Sequence, residues 1–267
     1  MHGAQESKER MDRLVRTIEG EIVPRLVLAR RMTRTPACGP GEAVRSPDEA
    51  DVRELVRLLL AHDVAVASAY VATVRQGGAS LEGVCLGLLA PAARELGLLW
   101  EEDECDFMQV TVGLCRLHQL LRELSPEFRP EDAELRSERT ILLASVPGEQ
   151  HTFGITLVAQ FLRKAGWEVW HEQPANGAEI VDVVRQHWFS IIGLSVGSEG
   201  CIDEVSAIIR AVRHASLNRS VGILIGGPIL VAKPELARFV GADGTATDGP
   251  MAVLRAQDLC SSQESAS

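Results

Sequence analysis

Glu149, His151 and Gly154 fall within VPGEQHTFG, residues 146–154, where a hydrophobic run gives way to an amphipathic one. An imidazole near a carboxylate can hydrogen-bond locally at the start of a helix, or it can take a ligand on one ring nitrogen. His151 alone leaves both open. Two more stretches stand out. LSVGSEG, residues 194–200, carries Ser195 and Gly197, and IGGP, residues 225–228, carries Gly226 and Gly227. The paired glycines lack β-carbons and let something large approach the backbone.

These stretches need elements to bring them together. After residue 139 the pattern alternates strands and helices. The expected strands are Thr140 to Ser145, Glu168 to His171, Ile191 to Ser195, Gly222 to Ile225 and a weak fifth near Ala242 to Ala246. The helices between and after them are Thr152 to Ala165, Gly177 to His187, Ile202 to Ala215 and Gly249 to Leu259. Such alternation implies a Rossmann-like (flavodoxin-like) doubly wound parallel five-stranded sheet. Doubly wound sheets bind ligands beyond the carboxyl ends of their strands, so the three stretches meet at one sheet edge. The result is a wide, shallow shelf from which one imidazole projects. A dinucleotide site would place GxGxxG after the first strand, and a phosphorelay receiver would show an acidic cluster; neither is present.

Upstream, residues 48–124 show four helical segments, Asp48 to Ala61, Val64 to Gln76, Leu81 to Leu98 and Cys105 to Leu124, and read as an N-terminal helical bundle. Ser46-Pro47-Asp48-Glu49 suggests an N-cap, a proline at the first helical position and a capping-box glutamate. The polar stretch 125–138 reads as a linker to the α/β domain of residues 139–260, and residues 261–267 as a disordered tail. Residues 1–47 form an arm ending in the Pro/Gly-rich TPACGPGEAVRSP; within it Met11, Leu14, Val15, Ile18 and Ile22 share one helical face.

Charge divides the chain. Its formal net charge is -10, yet the segment from Lys8 to Arg34 holds eight Lys/Arg against four Asp/Glu, a local +4 that leaves -14 elsewhere. Phosphate neutralisation over the whole surface is therefore excluded, and any DNA contact is expected only through a complex or the basic N-terminal arm. The six cysteines show no CxxC and no paired spacing. The charged N-terminus and the absence of an uninterrupted apolar run of ~18 residues lead to the expectation of a cytoplasmic protein without membrane attachment. No nucleophile-base pair or oxyanion motif appears, so an independent enzyme is not expected.

The E-x-H-x-x-G, S-x-G and GG set resembles the cobalamin-binding signature D-x-H-x-x-G, S-x-L, GG. The resemblance implies that His151 is the lower axial cobalt ligand in place of the dimethylbenzimidazole base. It also implies that Glu149 hydrogen-bonds the other ring nitrogen, and that the nucleotide tail descends past Gly154, Ser195, Gly197, Gly226 and Gly227. Neutral imidazole is a good cobalt ligand, and a carboxylate partner fixes its tautomer and basicity. Glu149 adds a methylene to the usual aspartate, Gly197 replaces the leucine, and Cys201 stands where serine is frequent. The helical bundle is similar to the cap over the corrin in such proteins, which implies a corrin-facing role for Trp100. His118 is a candidate for the upper axial position, with packing in the bundle as its ordinary alternative.

Light-sensing adenosylcobalamin repressors carry a Glu-His pair after the cap tryptophan; here the positions read Val110-Thr111. WEEDECDFMQVTVGLCRLHQLLREL and VPGEQHTFG together resemble the AerR/PpaA group, antirepressors of photosynthesis genes in purple bacteria. That resemblance implies a light-responsive regulator that binds hydroxocobalamin and acts on a transcription repressor of the CrtJ/PpsR type. The alternatives are a corrinoid methyl-carrier subunit of a methyltransferase and a haem sensor using the same histidine.

Overall fold

Four amphipathic helices precede the sheet in the computed structural model, which describes residues 45–128, 139–147, 149, 152–174 and 176–264. The arm up to residue 44, most of the linker, His151 and residues 265–267 lie outside the described residues. The helices are α1 (Glu49–Ala61), α2 (Val64–Gln76), α3 (Leu81–Glu101) and α4 (Phe107–Leu124). Their apolar faces meet in one core that includes Leu55, Leu59, Val71, Leu88, Leu96, Leu117 and Leu121.

The first helix begins differently from its expectation. Asp48, not Ser46, is the N-cap: its carboxylate accepts from the backbone N–H groups of Ala50 and Asp51, and the Asp51 side chain accepts from the Asp48 N–H. The box is therefore Asp48 with Asp51, two residues beyond Ser46 with Glu49. Asp51 is buried and also accepts from the Arg45 guanidinium at 2.7 Å and from the Tyr70 hydroxyl at 2.9 Å. Burial pushes its carboxyl up, but the Asp48 N–H, the Tyr70 hydroxyl and Arg45 outweigh that and hold it below its ordinary value of 3.8. The anion is thus favoured by folding. Its contribution is complete above the unfolded value and is lost as pH falls through the lower folded value. Asp51→Ala is expected to cost about 2 kcal/mol at neutral pH, because Tyr70 and the Asp48 N–H lose an ionised acceptor. Urea unfolding of both proteins at pH 7 and pH 3 checks this, with the difference narrowing at the lower pH.

Helix α3 contains a wider turn over Cys85–Leu89, closed by the Ala90 N–H donating to the Cys85 carbonyl. Pro91 follows, and proline can neither donate to the carbonyl four residues earlier nor tolerate its proximity, so the preceding turn expands. Although α3 is long and apolar enough to cross a membrane by length and composition, Val84, Leu88, Leu89, Ala92 and Leu96 are fully buried in the bundle. A count of uninterrupted apolar residues does not single it out. Residues 125–128 are not linker: Ser125–Phe128 forms a 3-10 turn that buries Phe128 against the ring of Phe161.

The α/β part comprises β1 (Thr140–Ser145), α5 (Thr152–Lys164), β2 (Glu168–Glu172), α6 (Gly177–Gln186), β3 (Ile191–Ser195), α7 (Ile202–Ala215), β4 (Gly222–Gly226), the short α8 (Pro228–Ala232) and α9 (Leu236–Val240), β5 (Gly244–Ala246) and α10 (Gly249–Glu264). All pairings are parallel, in the order β2-β1-β3-β4-β5, so the Rossmann-like, flavodoxin-like fold with its N-terminal helical bundle is as expected. The central strands β1, β3 and β4 are apolar on both sides because both are covered. Leu142, Ile192 and Ile223 pack on the α6–α7 side, while Ile141, Leu143, Ile191 and Leu224 pack with α5 and α10. The last helix continues through residues 261–264, part of the expected disordered tail, and its Cys260 is buried.

Helix α5 joins the two layers. Phe153, Leu157 and Phe161, four residues apart, enter the bundle core, while Ile155, Ala159 and Leu162 enter the sheet core. Burying each such phenylalanine is worth roughly 1.5–3 kcal/mol. The helix that begins within the E-x-H-x-x-G motif is therefore held on two faces.

Candidate cobalamin site at the carboxyl edge of the sheet

Strand register brings the separated sequence stretches together. Ser145 pairs with Ser195, Ser195 with Gly226 and Gly226 with Ala246. In-register residues of parallel strands point to the same face, and this row continues the Leu143 and Leu224 side, which faces α5 and α10. Four small residues thus line the last row of the sheet under those helices. Above it, the Val146 N–H donates to the Ser195 carbonyl at 3.0 Å and the Val196 N–H to the Gly226 carbonyl at 2.9 Å, while the Glu149 N–H closes a turn onto the Val146 carbonyl.

Ser145 was missed by sequence reasoning. It is buried, and among the described residues its hydroxyl has no hydrogen-bond partner. A buried unpaired hydroxyl carries a desolvation penalty, so its position beside Ser195 marks a place suited to a polar ligand group. The available signal was a single polar residue ending the otherwise apolar run ILLAS.

The predicted glycines have different local reasons. At Gly154, on the first turn of α5, an added β-carbon would meet nothing among the described residues within 4 Å. At Gly226 it would lie 2.9 Å from the Ala246 carbonyl oxygen, and at Gly227, with φ of 120°, it would fall on the Val196 carbonyl. What approaches the backbone at Gly227 in this structure is the neighbouring loop itself. At Gly197 an added β-carbon would overlap the Glu149 carboxylate, so two of the predicted site residues are in contact. Glu199, in the same loop, pairs with Lys233 beyond α8 at 2.5 Å and ties the loops after β3 and β4 together.

On the bundle, Trp100 is 46% exposed, and Leu98, Phe107, Met108 and Val112 are also exposed. Trp100 ends α3 outside the bundle core, so core packing does not account for it. His118 is half-buried, edge-on to Phe153 with ring centroids 5.3 Å apart. Burial, then Arg122 and His171, hold its imidazole below the ordinary 6.5. His171, near the end of β2, is also depressed, by burial and then Arg163, with Glu172 opposing; among the described residues its buried Nε2 has no hydrogen-bond partner. His118 thus packs where the bundle meets α5, its ordinary alternative.

The small-residue row, the Ser145 hydroxyl, which has no partner among the described residues, and the exposed surface at Gly154 suit a bulky ligand with a polar extension, and so fit cobalamin. A model for the B12 binding domain matches residues 139–254, and a second B12 binding domain model matches residues 51–113. The matches together span more than half of the chain, which belongs to the B12-binding domain family.

Within that family, the chain is 27% identical over 63% of its length to 87% of the "Uncharacterized 20.5 kDa protein in bchF-crtJ intergenic region" of Rhodobacter capsulatus. This agrees with the resemblance to the AerR/PpaA group. It is also 25% identical over 64% of its length to 79% of dimethylamine corrinoid protein 1 of Methanosarcina acetivorans. In structure it is similar to the monomethylamine corrinoid protein of Methanosarcina barkeri, with a TM-score of 0.65 and 16% identity, covering 79% of this chain and 99% of that one. When bound, cobalamin supplies a cobalt centre with exchangeable axial ligands. The row of small residues at the carboxyl edge of the sheet would hold it.

Proposed function

We propose that the protein is a light-responsive, cobalamin-binding antirepressor that binds hydroxocobalamin and acts in the cytoplasm, without catalysis of its own, on a transcription repressor of the CrtJ/PpsR type. The observation that carries this reading is the likeness spanning 87% of a protein encoded between bchF and crtJ. In this reading His151 is the lower cobalt ligand, Glu149 its carboxylate partner, and Ser145, Ser195 and the glycines line the path of the tail. The exposed apolar residues around Trp100 form the cap's side of the site, and ligand state changes how cap and shelf pack, biasing a partner-binding equilibrium. The basic arm is available to the partner or to DNA within the complex.

The test is co-purification of the full chain with such a repressor, dark and illuminated, with and without hydroxocobalamin. Association that depends on cobalamin and light is the expected result. Association indifferent to both overturns the regulatory reading. The corrinoid relatives favour a second reading, a methyl carrier. Tight methylcobalamin binding with turnover in a reconstituted methyltransferase would select it, and binding of haem alone would reject both.

A further inference from the structure

Two of this chain's departures from the cobalamin-binding pattern, glutamate at 149 and glycine at 197, touch each other. An added β-carbon at Gly197 would overlap both carboxylate oxygens and the carboxyl carbon of Glu149. No positive φ accounts for the glycine, because the residues in that region are Asp103, Gly78, Gly166, Gly227 and Gly241 among the described residues. The requirement at 197 is one of space, and Glu149 fills the space.

The backbone at 197 has little room to yield. Val196, immediately before it, donates to the Gly226 carbonyl at 2.9 Å, and its own carbonyl packs on Gly227. Two residues after Gly197, Glu199 is paired with Lys233. A side chain at 197 would therefore displace the carboxylate before it displaced the loop. On the other side, Glu149 is tied back by its N–H to the Val146 carbonyl at 3.0 Å, so its side chain must reach from the loop after β1 across to the loop after β3. Aspartate is one methylene too short to make the same reach.

We infer that Gly197 and Glu149 act as one unit, in which the missing side chain at 197 seats the longer carboxylate and sets the orientation of the group two residues from His151. Gly197 is then a positioning residue that acts on the cobalt ligand through Glu149; this rests on the cobalamin reading of the site. The longer acid and the missing leucine compensate each other. A change at either position alone disturbs the seat, and shortening the acid relieves an enlarged 197.

The experiment is a double-mutant cycle with Gly197→Ala, Glu149→Asp and the double variant. Hydroxocobalamin titration followed by visible absorption reads affinity and histidine ligation, and thermal melting without cobalamin reads the pair alone. Gly197→Ala is expected to weaken binding about tenfold, the size typical of disturbing a partner of a metal ligand, with a reduced histidine-ligated signature. It is also expected to lower the melting temperature, and adding Glu149→Asp should recover most of both losses. Additive effects, or Gly197→Ala behaving as wild type, would overturn the pairing. Coupled melting in a wild-type protein that binds no cobalamin would uphold the pairing and overturn the cobalamin reading instead.

Discussion

Gly227→Ala is expected to lower the unfolding free energy by about 3 kcal/mol or more, seen as a lower urea midpoint at unchanged slope. Two costs combine. At φ of 120° an L side chain is strained, by roughly 1–3 kcal/mol. The new methyl would also fall on the Val196 carbonyl oxygen. Val196 cannot move away cheaply, since its N–H donates to the Gly226 carbonyl at 2.9 Å and its side chain is fully buried. The neighbouring glycine supplies a control, because a β-carbon at Gly226 would lie 2.9 Å from a single carbonyl oxygen at no such φ, and a smaller loss is expected there. If Gly227→Ala stays within about 0.5 kcal/mol of wild type, the ordinary scatter of surface changes, then the close approach of the two loops is wrong. Gly154 differs in kind: among the described residues nothing lies within 4 Å of an added β-carbon.

That contrast bears on how much the amino-acid sequence discloses. The strands were legible because an apolar run between polar loops is characteristic of a strand covered on both faces, and β1 and β3 have the bounds expected of Thr140–Ser145 and Ile191–Ser195. Helix periods located α2 and α7 equally well, with Val64–Gln76 and Ile202–Ala215 as expected. Less legible were features decided by partners distant in sequence. Asp51 is a capping residue and also the buried acceptor for Tyr70, a contact 19 residues away that no local pattern displays. The wide turn in α3 depends on Pro91, and α8 and α9 are too short for periodicity to declare them. The candidate site shows the same division. The motif spacing brought Ser195 and the glycines to one edge, but the Ser145 hydroxyl and the contact of Glu149 with Gly197 depend on parallel register and loop packing.

His151→Ala is expected to weaken hydroxocobalamin binding by about 100-fold or more, since losing a partner of a metal ligand already costs 10–100-fold and here the ligand itself is removed. The bound cobalamin should also lose the absorption signature of histidine ligation. The same variant should melt close to wild type, because the chain on either side is anchored independently. Glu149 donates its N–H to the Val146 carbonyl, and α5 begins at Thr152 with Phe153 and Ile155 buried in two different cores. That separation decides between the two roles an imidazole has at this position. A residue that only satisfies the start of α5 would, on removal, cost about 1 kcal/mol of stability and leave ligand affinity alone. A ligand would do the reverse. Loss of affinity at unchanged melting therefore identifies His151 as the cobalt ligand, while a lower melting temperature with affinity retained returns it to the helix terminus and removes the axial bond from the account of this site.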